Sequence, residues 1–66
     1  MIRLTRLNDR EIVLNAELIK TIEKTPDTMI TLINGDQIVV RESMDEVIHR
    51  AIEYLRSIRA FAPIGT

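Results

Sequence analysis

This sequence predicts an α+β fold, a small antiparallel β-meander of about five short strands followed by one C-terminal amphipathic helix. Three observations carry that expectation. Short runs alternate apolar and polar residues from Ile2 to Val40, the period of a half-buried strand. Asn34-Gly35 sits between two such runs, which is a hairpin signal. From Ser43 onward the apolar spacing changes to three and four residues, the period of a helix.

In order along the chain, Ile2 and Leu4 alternate with Arg3 and Thr5, Leu7-Asn8-Asp9-Arg10 supplies turn residues, and Glu11-Ile12-Val13-Leu14 returns as a second strand. Asn15-Ala16-Glu17-Leu18 opens on a capping residue but has room for one helical turn only, so it is expected as a connection. Ile19 to Thr25 is a polar-rich strand, closed by Pro26-Asp27, because proline presets φ at the second position of a turn. Met29 to Ile33 and Gln37 to Val40 flank Asn34-Gly35, for which a type I′ turn with positive φ at both central residues is expected.

The helix begins near Met44. Ser43-Met44-Asp45-Glu46 reads as a capping box, with the serine oxygen taking an orphan N–H and Glu46 reaching back. Met44, Val47, Ile48, Ala51, Ile52, Leu55 and Ile58 share one face, which is expected to bury against the sheet. Asp45 and Glu46 near the start, Arg56 and Arg59 near the end, and the Glu46/Arg50 spacing all suit helix electrostatics. Pro63 stops the helix pattern, so residues 1–60 are expected as a single domain and residues 61–66 as a tail.

At 66 residues a single core only just offsets chain entropy. Without cysteine the chain has neither disulfides nor thiolate metal sites, in keeping with a reducing cytoplasm. A formal net charge of −1, with acids and bases interspersed, gives none of the long-range attraction typical of nucleic-acid or anionic-membrane binders. The opening residues carry charges at every third position, so neither a signal peptide nor membrane insertion is expected.

Met29, Ile33 and Val39 fall in opposite phase to Ile30, Leu32, Ile38 and Val40, so both faces of the second hairpin read as apolar. One helix covers one face. The other is closed either by a curled, barrel-like sheet or by a second copy of the chain; a homo-oligomer, most simply a dimer with Met29, Ile33 and Val39 in its interface, is the expectation.

Chemistry-bearing candidates are weaker. His49 is the only histidine, has no second ligand at metal spacing and is expected in solvent on the helix. Glu11, Glu17 and Glu23 suit solvated strand faces better than a catalytic pair, and Asn34-Gly35-Asp36 lacks the glycines and lysine of a phosphate loop. No catalytic residue, cofactor or metal site is expected. Arg3, Arg6, Arg10, Lys20 and Lys24 would form a basic partner-binding patch if their strands are neighbours. Tyr54 and Phe61, the only aromatics, do not interleave with these cations, which argues against stacking of RNA bases.

The stretch Met1-Ile2-Arg3-Leu4-Thr5-Arg6-Leu7-Asn8, then Leu14-Asn15-Ala16-Glu17-Leu18-Ile19, Ile22-Glu23 and Thr25-Pro26-Asp27-Thr28, resembles the FlbD/SwrD family of small flagellar proteins. Ile30-Thr31-Leu32-Ile33-Asn34-Gly35, Val39-Val40-Arg41-Glu42-Ser43 and the Val47-Ile48 helix extend the resemblance to about Ile58. Asn8-Asp9 stands where that family often has Asn-Gly, and Phe61 to Thr66 lies outside the shared pattern. The resemblance implies a non-enzymatic bacterial protein of the cytoplasm or the flagellar base, supporting motility and swarming through flagellar motor power or assembly. Its implied partner is a motor, stator or export component. The opening strand also resembles the CsrA carbon-storage regulators, which bind RNA, but that likeness ends after the first strand.

Overall fold

The computed structural model describes residues 1–59; the expected tail, residues 61–66, lies outside the described residues. Five antiparallel strands precede one helix: β1 (Ile2–Thr5), β2 (Glu11–Leu14), β3 (Ile19–Lys24), β4 (Thr28–Leu32), β5 (Gln37–Val40) and α1 (Met44–Arg59), with a one-turn 3-10 helix at Ala16–Leu18. The α+β class and the meander are as the sequence predicts.

The strands do not close into a barrel. β1 and β2 form one sheet, β3, β4 and β5 a second, and the two touch at a corner where Arg6 bridges Val40. There the Arg41 N–H donates to the Thr5 carbonyl at 2.8 Å. Side chains pointing inward from both sheets form the core with the helix: Ile2, Leu4 and Leu14 from the first, Ile30, Leu32 and Val40 from the second, with Ala16 and Val47.

The β1–β2 and β4–β5 hairpins are built alike, and the Asn34-Gly35 turn is not the expected two-residue type I′ turn. In the first, Arg6 N–H bonds to the Arg10 carbonyl and Asp9 N–H to the Arg6 carbonyl, each at 2.9 Å. In the second, Leu32 N–H bonds to the Asp36 carbonyl at 2.8 Å and Gly35 N–H to the Leu32 carbonyl at 2.9 Å. Each is a type I turn followed by one left-handed residue, a three-residue loop needing positive φ at a single position. That residue is Asp9 (φ 67°) in the first and Gly35 (φ 95°) in the second; Asn34 is not left-handed. The asparagine before it works through its side chain instead: Asn8 Oδ1 accepts from Arg10 N–H at 3.0 Å, and Asn34 Oδ1 from Asp36 N–H at 2.9 Å.

The longer loop takes Ile33 out of β4. It becomes the first residue of the loop, 63 % exposed. Its N–H donates to the Leu18 carbonyl at 2.8 Å, which ties the 3-10 turn to the end of β4. The 3-10 turn itself is capped as expected, with Asn15 Oδ1 accepting from Glu17 N–H at 3.0 Å.

Half of the expected capping box forms on α1. Ser43 Oγ accepts from Glu46 N–H at 3.1 Å, but the Glu46 carboxylate is held at 2.9 Å by Arg50 Nε one turn later. The helix uses less of its apolar face than its spacing predicts. Val47 is fully buried, with Ala51 and Tyr54 packed beside it, whereas Ile48, Ile52 and Ile58 remain 37 %, 46 % and 43 % exposed. At about 100° per residue the apolar side chains from Tyr54 round to Ile52 span about 160°. The two short sheets accommodate only the Tyr54–Val47–Ala51 edge of that arc.

Candidate functional site

Two surfaces stand out, one on the outer face of the three-stranded sheet and one on the helix, with a polar tie between the sheets and the helix.

On the sheet, the register places Glu23, Met29 and Val39 in one row across β3, β4 and β5. Met29 and Val39 are half-buried, facing away from the core as the alternation predicts. Ile33, grouped with them from the sequence, lies in the turn and outside the row. The first turn adds a residue that the strand pattern did not single out. Arg41 holds that turn, pairing its Nε with Asp9 Oδ1 at 2.8 Å and donating from a terminal nitrogen to the Leu7 carbonyl at 2.9 Å. Leu7 is thereby 44 % exposed beside Val39, with Arg6, Asn8 and Gln37 completing a shallow groove. Leu7 was hidden in the sequence because it reads as a turn residue, and only the β1–β5 corner brings it to β5.

The five cations divide. Arg3, Arg6 and Arg10 belong to the first hairpin, whereas Lys20 and Lys24 lie on β3, at the free edge of the other sheet with β4 and β5 between. Along β1, Arg3 alternates outward opposite Val13, which is 60 % exposed.

The polar tie centres on Glu42, in the connection from β5 to α1. Its Oε1 accepts from Thr5 N–H at 2.9 Å, and its Oε2 lies 3.4 Å from a terminal nitrogen of Arg50. That nitrogen also donates to the Arg3 carbonyl. One carboxylate and one guanidinium thus join β1, the connection and α1. Burial works to raise the Glu42 pKa, but the Thr5 N–H, its own N–H, the Thr5 hydroxyl and the Arg50 charge together outweigh it, leaving the carboxyl below its ordinary value. Arg50 also borders a shallow groove with Met1, Arg3, His49 and Tyr54, in which His49 is exposed. Among the described residues no group of three His, Asp or Glu side chains is placed to hold a metal ion. Among them, too, no helix is long and apolar enough to cross a membrane.

A family model described as flagellar and swarming motility proteins matches residues 1–59. The chain belongs to the FlbD family. The match covers all five strands and the whole of α1, and therefore both candidate surfaces of this FlbD-family chain. No curated protein and no solved structure was found to match it.

Proposed function

We propose that this chain is a non-enzymatic binding module of bacterial flagellar motility, acting in the cytoplasm at the flagellar base to raise motor power or assist assembly during swarming. Membership of the flagellar and swarming motility family carries the reading. What the fold offers such a role is contact area. The half-buried Met29–Val39 pair, flanked by Leu7, gives a small apolar centre rimmed by Arg6, Asn8 and Gln37, the pattern of a protein-binding patch. A motor, stator or export component is the partner, with Arg3, Arg6 and Arg10 on the same hairpin able to meet acidic residues on it.

The test is deletion of the gene in its flagellated host, followed by counting filaments and measuring the torque of single tethered cells. Normal filament number with reduced torque is the expected result and supports motor power; fewer filaments would support assembly. Unaltered swimming, swarming and torque would overturn the reading. Complementation with Val39→Lys then assigns the sheet surface: a folded variant that restores wild-type torque removes that patch from the function.

A further inference from the structure

The fold leaves α1 with more apolar surface than its own sheets cover. Ile48 and Ile52 are 37 % and 46 % exposed, and Leu55, on the same stripe, is only half-buried. The stripe has the i, i+4, i+7 spacing of a helix-packing seam. Its flanking charges are distributed unequally along the axis. Asp45 occupies the acidic first turn, while Arg56 lies three turns later with only a loose 3.7 Å pairing to Glu53 in its own helix.

We propose that this stripe is the interface of a homodimer, in which α1 of a second copy packs antiparallel across α1 about a two-fold axis level with Ala51. The antiparallel arrangement follows from the charges. It sets the acidic first turn of each helix against the basic end of the other, bringing Asp45 beside Arg56 of the partner copy at both ends, whereas a parallel pair would stack like charges. It also opposes the two helix dipoles. A two-fold contact is self-complementary, so Ile52 comes within about 3 Å along the axis of its own counterpart, and Ile48 of each copy meets Leu55 of the other. Ile48, Ile52 and Leu55 thereby leave water, which supplements a core of small extent in a chain of 66 residues. This dimer leaves the Met29–Val39 surface free, and it does not depend on the flagellar reading.

Sedimentation equilibrium of the full chain over a wide concentration range tests it directly. A mass rising to twice 7.6 kDa is expected, and a single 7.6 kDa species at every concentration would overturn the proposal. Ile52→Lys should weaken association on the order of a hundredfold, because the two-fold buries the change twice. Because Ile52 is exposed in the monomer, its circular dichroism should be unchanged. Asp45→Arg and Arg56→Asp should each weaken the dimer, and the double reversal should restore it; failure of that rescue would overturn the antiparallel pairing. The chain has no cysteine, so Ile52→Cys gives a further readout. It should oxidise readily to a disulfide-linked dimer, while Val13→Cys on the outer face of β2 should not. A dimer lost in Val39→Lys but kept in Ile52→Lys would move the interface to the sheet and refute the helix.

Discussion

Replacing Glu42 with alanine removes the carboxylate that bonds both to Thr5 on β1 and to Arg50 on α1. The structure sets the size of the effect. The Thr5 N–H at 2.9 Å loses a charged acceptor in a site where the Glu42 side chain is only 12 % exposed. A hydrogen bond to a charged group in such a place contributes about 1.5 kcal/mol or more. The Arg50 contact is longer, at 3.4 Å, and Arg50 is 37 % exposed with Glu46 as a second partner, so its loss adds roughly 0.5 kcal/mol. Glu42→Ala should therefore cost about 2 kcal/mol, against a total stability of roughly 3–10 kcal/mol for a domain of this length. Urea unfolding followed by circular dichroism at pH 7 measures it. The pH dependence is the sharper check. The Glu42 carboxyl sits below its ordinary value of 4.5 when folded, so its stabilisation is present above that value and is lost as pH falls through the folded pKa. The difference between the parent chain and Glu42→Gln should hold constant near neutrality and shrink in acid. An equal difference at pH 7 and well below the folded pKa would refute the charged bridge, as would a Glu42→Ala cost below about 0.5 kcal/mol.

The two like-built hairpins make opposite predictions. Asp9→Gly relieves a left-handed residue at φ 67° and loses an exposed ion pair to Arg41, so thermal unfolding should show a gain of about 0.5 kcal/mol. Gly35→Ala should lose about 1 kcal/mol in the same measurement, although a Cβ there meets nothing within 4 Å, because strain at φ 95° and not crowding sets its cost. Adjacent helix positions should also separate. Val47→Ala, at a fully buried site, should cost about 2 kcal/mol, and Ile48→Ala less than about 0.5 kcal/mol when measured on monomer at low concentration.

Much of this fold is legible in the sequence because local signals and tertiary structure agree. Alternation places Ile2, Leu4, Ile30 and Val40 inside, Pro26 ends β3, and Ser43 starts α1, each through physics confined to a few residues. The errors arise where two local solutions satisfy the same residues. Asn-Gly suits a type I′ turn, yet it equally suits a type I turn with glycine alone left-handed, since asparagine can cap the loop through its side chain. The second solution lengthens the loop and moves Ile33 out of the strand. Glu46 was similarly divided between Ser43 N–H and Arg50, and the charged partner prevails.

The candidate interaction surfaces are harder to read because they are remainders, defined by what the fold fails to cover. Periodicity gives the width of the apolar arc on α1 but not the width of the sheet beneath it. The five strands are four to six residues long and divide into two sheets, so the inner surface is narrower than that arc. Ile48 and Ile52 look like core residues in the sequence for this reason, and the helix seats itself on Val47, Ala51 and Tyr54 instead. Leu7 illustrates the converse: a turn position becomes surface apolar area only because Arg41 fixes that turn beside β5. In a chain this small, a variant whose strands extended beneath Ile48 and Ile52 should gain monomer stability while losing the surface that the proposed dimer would use. The short strands and the broad helix face therefore belong to one arrangement, and a variant that fills the core should lose association as it gains monomer stability.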